Sequence, residues 1–388
     1  MTHYSELFER ESVNAHGFVS SIDKVRAKTC CDTCIIPSNY EGVSIVEQAK
    51  KRTCNFCFNL NKKAFKGEEA FLADLALNDN EIIGITVSGG KDSVYVWKWL
   101  VDKLGGSRVV AFNHNKTGLV HECAYQNLYN ASSILNSKLI TINDDQFLER
   151  FKQNIKAFLK KPDPAMVRVA LCAGCRAGIT NTLYNEGKKM GIRKFVSAAS
   201  YLELAPFKGN LISKKGDGNS KYGLIKGLAE NSLYCFDDNI EIILRDDNLE
   251  YKNKTKLSNS IDGDVALFDF DDYFENDPSY YEEVVKQHLN WNRPERSWHF
   301  DCLIEQFKDF FYYGLLGYTE SDYKLCQMIR YNLIDREEAL LQLAVNNAKI
   351  INGLDDMLKL INILNIHDIE NDILSFYNKS DYFSGANI

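Results

Sequence analysis

The stretch that most constrains this chain is Ile82-Ile-Gly-Ile-Thr-Val87, followed by Ser88-Gly-Gly-Lys-Asp-Ser93 and then by Val94, Trp97, Leu100, Val101 and Leu104. A short apolar run reads as a buried parallel strand and the later spacing as an amphipathic helix, so the hexapeptide is the turn between them. Two adjacent glycines let the backbone turn tightly and bring its N–H groups against an anion. The helix N-terminus adds unpaired donors and partial positive charge. Ser88, Ser93 and Lys91 supply hydroxyl and ammonium donors, so Ser88, Gly89, Gly90, Lys91, Asp92 and Ser93 form a candidate phosphate-binding loop. A plain surface turn is the alternative, and the strand before and helix after argue against it. The common nucleotide-triphosphatase loop is excluded, because Ile85 and Asp92 stand where it needs glycine and Ser or Thr.

At 388 residues the chain is long enough for two or three domains. A net charge of −7 argues against nucleic acid as the main partner and for a small molecule. No apolar run approaches the roughly 18 residues of a membrane helix, and residues 1–20 have no signal-peptide core, so a cytoplasmic protein is expected. Eleven cysteines, several in Cys-x-x-Cys pairs, suit metal or redox chemistry in a reducing compartment. Cys31 with Cys34 and Cys54 with Cys57 have the paired spacing of a four-thiolate zinc site on a short ribbon, with Cys30 as an alternative to Cys31. Four thiolates leave zinc no open position, so the expected role is structural. Four reduced, buried cysteines are the plain alternative.

From Glu81 onward, strand-like and helix-like segments alternate. The pattern predicts an α/β domain with a parallel sheet covered by helices on both faces, of Rossmann-like type. It is preceded by the zinc-ribbon-like segment and followed by a small helical domain. The expected boundaries are 1–77, 78–299 with a polar insertion at 208–264, and 300–388. Ligands of such sheets sit at the carboxyl ends of the strands, so the loop, Phe112 to Asn115 and Ser200 to Glu203 are expected to line one cleft. Phe112 and Asn113 are placed against the adenosine of a nucleotide. His114 reads as a satisfied loop residue, with catalysis as the rival role. Asp92 is expected in an exposed loop at the sheet edge.

Cys172-Ala-Gly-Cys175 is expected just before a helix. It admits four readings: a redox or persulfide pair, part of an iron–sulfur site with a distant third cysteine such as Cys235 or Cys302, a structural metal half-site, or two buried thiols. The 208–264 stretch reads as a lid or as disorder. Arg293 and Arg296 are candidates for an anionic substrate, with plain surface arginines as the alternative, and His299 reads as core. Asp335-Arg-Glu-Glu338 has the form of a capping box.

The Ser-Gly-Gly-x-Asp-Ser pattern resembles the PP-loop of the ATP pyrophosphatases. The order of the parts is similar to the N-acetyl sugar amidotransferases: two N-terminal cysteine pairs, the loop, Cys172 and Cys175 with Gly178, Gly314 to Tyr318, and Asp335 to Ala339. These enzymes act in O-antigen and flagellin-sugar biosynthesis. The resemblance runs from about Cys31 to Leu343. It implies ATP and Mg2+ beside Zn2+, a nucleotide-linked N-acetyl sugar as substrate, and conversion of its acetamido group to an acetamidino group. Ammonia would come from a separate glutaminase subunit. Asp92 is the candidate magnesium ligand, Lys91 neutralises developing charge, and Cys172 and Cys175 join them as candidate catalytic residues. The polar insertion looks longer than the family pattern. The rival implication is a sulfurtransferase using Cys172 and Cys175.

Overall fold

The computed structural model describes residues 31–179, 183–213, 233–234, 260–262, 265–293 and 300–383. Cys30, Cys235, Arg296, His299 and most of the polar insertion lie outside the described residues. A hairpin of β1 (Ile45–Gln48) and β2 (Lys51–Cys54) comes first, turning through Ala49 and Lys50, both at positive φ. The main sheet contains β3 (Ile83–Thr86), β4 (Val109–Asn115), β5 (Lys138–Asn143), β6 (Lys194–Ser197), β7 (Ser260–Asp262) and β8 (Val265–Asp269). Its order is β5-β4-β3-β6-β8-β7. Five strands run parallel, and the edge strand β7 is antiparallel to β8.

The strand sequences explain why helices cover both faces. Ile83 and Ile85 face helix Lys91–Leu104, where Val94, Trp97 and Leu100 are fully buried. On the other face Val110, Phe112 and Phe195 pack against Leu183 and Tyr184. Gly84 is required here, because a Cβ at that position would collide with the Phe195 ring. Trp97 donates its indole N–H to Ser137 Oγ (2.9 Å), and Ser137 Oγ donates in turn to the Val109 carbonyl (2.7 Å). These bonds satisfy polar groups that burial would otherwise penalise.

Beyond the sheet come helices Ile304–Leu316, Glu320–Arg330, Arg336–Ile351, Leu354–Ile363 and Glu370–Lys379. They share one apolar core with helices Gln146–Lys160 and Val167–Gly178 and with Ile35, Ile36 and Tyr40 of the N-terminal knuckle. The Tyr40 ring lies 4.7 Å from Tyr318 and 5.4 Å from Phe207. Asp335 caps its helix by accepting from the Glu338 N–H (2.8 Å), as expected. The Glu338 carboxylate accepts from Gln342. Thr319 and Asp322 form a reciprocal capping box instead. Among the described residues no helix is long and apolar enough to cross a membrane.

Candidate active site

Ser88 to Ser93 turn from the end of β3 into helix Lys91–Leu104. Gly89 has φ +88°, and a Cβ there would strike the backbone of Ala124. Glycine is needed both for the left-handed conformation and for the close approach. The turn is held from several sides. Ser93 Oγ donates to the Gly90 carbonyl (3.0 Å), and the Ser88 N–H donates to Ser93 Oγ (3.2 Å). Trp291 Nε1 donates to the Gly89 carbonyl (2.9 Å). The first-turn N–H groups of the helix open at its N-terminus, where no side chain caps them, the arrangement that receives an anion. Lys91 Nζ lies 2.8 and 2.7 Å from the two Asp92 oxygens.

Asp92 therefore stands on the first helical turn, and β3 is flanked by β4 and β6, so the residue is not at the sheet edge. The Phe112 side chain is also misplaced by the sequence reading. Its ring is fully buried and 5.6 Å from Phe195, and its carbonyl accepts from the Val87 N–H. Alternation along β4 turns Phe112 into the core. Asn113 donates to the Val87 carbonyl (2.8 Å) and so ties the end of β4 to the loop.

The turn after β6 lies at the carboxyl end of the strand next to β3. The Tyr201 N–H donates to Asp271 Oδ2 (2.6 Å), and burial pushes the Asp271 carboxyl up to about 7. Arg293 pairs with Glu282 (3.0 Å).

Cys172 and Cys175 lie inside helix Val167–Gly178, not ahead of a helix. Cys302 joins them from far along the chain. The Leu303 N–H donates to the Leu119 carbonyl (2.9 Å) and the His121 N–H to the Phe300 carbonyl (3.1 Å), which fixes Phe300 to Leu303 beside the loop after β4. The three thiols act electrostatically on one another and on buried Lys116. Burial alone would raise the Cys175 thiol, but Lys116 and His114 bring it down to about 7. Burial pushes Cys302 up to about 12 and Cys172 upward, the latter opposed by Lys308 and Arg168. His114 is bound to Asp144 (2.9 Å); burial opposes its protonation, and Asp144 and Cys175 outweigh it, raising the imidazole to about 9. Asp301, next to Cys302, stands 3.4 Å from the Cβ position of Gly90. The thiol site thus borders the phosphate loop.

The knuckle is a separate centre. The thiols of Cys31, Cys34, Cys54 and Cys57 lie within 4.8 Å of one another and can hold one metal ion. The donor set is entirely soft sulfur in a mostly buried pocket, which fits a thiophilic ion in a closed site. Arg330 faces it, with guanidinium nitrogens 3.4 Å from Cys57 and Cys34 and 3.8 Å from Cys54. No local sequence signal marks Arg330, Asp301 or Lys116 as site residues, because tertiary packing alone brings them there.

No family model matches the chain, and no curated protein matches it. Among solved structures it is similar to the U34-tRNA thiolase NcsA from Methanococcus maripaludis with its 4Fe–4S cluster. That match has 13% identity and a TM-score of 0.37, over 80% of this chain and 88% of that one. It is also similar to NMN synthetase from Francisella tularensis, with 16% identity and a TM-score of 0.26, over 57% of this chain and 92% of that one. A third is the glutamine-dependent NAD+ synthetase from Acinetobacter baumannii in complex with ADP, with 16% identity and a TM-score of 0.28, over 60% of this chain and 47% of that one.

Proposed function

We propose that this chain is an ATP pyrophosphatase of the PP-loop type that adenylates the acetamido oxygen of an N-acetyl sugar and replaces it with nitrogen. The observation that carries the ATP half is the loop itself. Gly89 is pressed against Ala124, and a helix N-terminus opens at the carboxyl end of a central strand. The sugar half rests on the resemblance of the sequence motifs.

In this reading the amide oxygen attacks the α-phosphorus, the bond to the β-phosphate oxygen breaks, and pyrophosphate leaves toward Ser88 to Ser93. The O-adenylated imidate then takes ammonia at carbon and loses AMP, giving the amidine. Asp92 would supply a carboxylate for magnesium, a hard cation whose charge would offset that of the phosphates. Release of Lys91 from Asp92 would free its ammonium for the phosphates. Zinc is proposed for the knuckle, a separate glutaminase as the ammonia source, and the cytoplasm as the location. The test is incubation with ATP, ammonia and a panel of nucleotide-linked N-acetyl sugars, with products weighed by mass spectrometry. An amidine product one mass unit lighter than the substrate, with AMP and pyrophosphate, is expected. ATP cleavage with no such product from any sugar would overturn the sugar half.

One observation favours a second reading. Cys172, Cys175 and Cys302 act on one another electrostatically, with Lys116 acting on Cys175 and Cys302 and with Lys308 and Arg168 acting on Cys172. The Cys175 thiol, lowered by Lys116 and His114, could carry sulfur, and cysteines brought together on metal binding could hold an iron–sulfur cluster. Sulfur in the product, or iron at cluster stoichiometry in protein purified without oxygen, would move the assignment to sulfur transfer.

A further inference from the structure

Helix Glu320–Arg330 reaches all three chemical centres. At its start Glu320 accepts from Arg168 (3.1 Å), Lys208 (2.7 Å) and Lys308 (3.1 Å), and Arg168 and Lys308 act on Cys172. At its end Arg330 faces the knuckle thiols, with its guanidinium 5.4 Å from the Phe56 and Tyr323 ring centres. Between them Lys324 donates to Glu203 Oε1 (2.7 Å), in the turn after β6, and the charge of Asp92 also acts on it. Lys324 has a side chain only 13% exposed, so packing already holds this long chain against the turn after β6, the strand next to β3. Inside the loop, cation and carboxylate cancel, because Lys91 is bound to both Asp92 oxygens. A triphosphate needs further positive charge.

We propose that Lys324 is a second cation of the phosphate site, and that the grip of Arg330 on the four-cysteine knuckle keeps the helix where it delivers Lys324. The proposal rests on the ATP reading above. Glu203, with a side chain 40% exposed, is the resting counter-ion that Lys324 exchanges for a phosphate oxygen when nucleotide enters. Lys324 and Arg330 are six positions apart on one helix, about 9 Å along its axis. A rigid element of that length carries a displacement at the thiols directly to the cleft. Neither residue has a sequence motif around it, and neither contacts the phosphate loop through the backbone hydrogen bonds that hold the loop.

Calorimetric titration of the full chain with α,β-methylene-ATP and, separately, with adenosine tests this. Lys324→Met should weaken the nucleotide about tenfold and leave adenosine unchanged, and Lys324→Arg should restore most of the loss. Arg330→Met, which keeps an apolar stem against Phe56 and Tyr323, should weaken the nucleotide in the same selective way. Wild-type affinity in Lys324→Met overturns the second cation, and so does equal weakening of adenosine, which would mark a merely structural lysine. An Arg330→Met protein that melts like wild type and binds the nucleotide equally well overturns the coupling. If that variant does not fold, the Lys324 pair still decides the proposal. Absence of nucleotide binding by wild type would instead overturn the ATP reading, and this proposal with it.

Discussion

The four-thiol knuckle and the three-thiol site use the same residue type and differ in what brings the sulfurs together. In the knuckle, two Cys-x-x-Cys turns each deliver a pair, the hairpin β1–β2 joins the turns, and all four thiols end within 4.8 Å of one another. In the other site, one helix carries Cys172 and Cys175, and a segment from another layer, pinned by the Leu119 and Phe300 carbonyls, supplies Cys302. Their surroundings differ as well. One arginine faces the knuckle, whereas Lys116, Lys308 and Arg168 act on the three-thiol site. The first arrangement is made by local turns and the second by the topology of the fold, beside the phosphate loop.

Breaking the knuckle should have the largest effect. A structural tetrathiolate ion contributes on the order of 10 kcal/mol to folding, so Cys54→Ser should lose its metal and much of its cooperative melting. Metal analysis and calorimetry check this, and a metal-free variant that melts like wild type would remove the structural role. Next is Asp92→Ala, which should lower ATP cleavage about 10³-fold while the fold and knuckle metal survive, as measured by pyrophosphate release and circular dichroism.

A smaller effect on stability is expected from Cys172→Ser, Cys175→Ser and Cys302→Ser together, with a cost of about 1 kcal/mol and a melting shift of a few degrees. In the amidotransferase reading this protein keeps part of its ammonia-dependent ATP use. Complete loss of turnover in a folded triple variant, with loss of bound iron, would place the three thiols in the chemistry.

The smallest effect concerns pH. His121 Nδ1 accepts the Cys123 N–H (3.1 Å) and caps helix Glu122–Ile134, and burial lowers its pKa from 6.5. An imidazolium cannot accept that bond. The folded state therefore binds fewer protons than the unfolded one, and the contribution present above pH 6.5 is lost as pH falls below it. The backbone N–H of His121 donates to the Phe300 carbonyl, a bond that imidazole protonation leaves in place. His121→Asn keeps a cap acceptor and should flatten that pH dependence, read from denaturant midpoints between pH 5 and 7.

The alternation of apolar runs and amphipathic helices made the parallel sheet legible, and paired spacing made the knuckle legible, because both signals are local. The loop residues were readable for the same reason. The edge strand β7 carried no signal, since Ser260–Asp262 is short and polar and pairs only with β8. The helix around Cys172 was placed too late because its apolar residues, Val167, Val169 and Leu171, lie ahead of the pair that drew attention. Phe112 was assigned to nucleotide by proximity, and its ring is packed into the core on Phe195. Arg330 and Lys324 were invisible, because an arginine or lysine on an amphipathic helix looks the same whether it faces water or thiols.

The packing of Tyr40 between Tyr318 and Phe207 has a consequence for how the protein is made. Asn39 Nδ2 donates to the Leu316 carbonyl (3.0 Å) and the Glu41 N–H to the Tyr318 hydroxyl (3.0 Å), so the first described segment is seated on one of the last. Ribosomal synthesis releases chains from the N-terminus, and segments fold in that order where they can. The knuckle is therefore made well before Leu316 to Arg330, which cover it in the folded chain, and its final packing has to follow theirs.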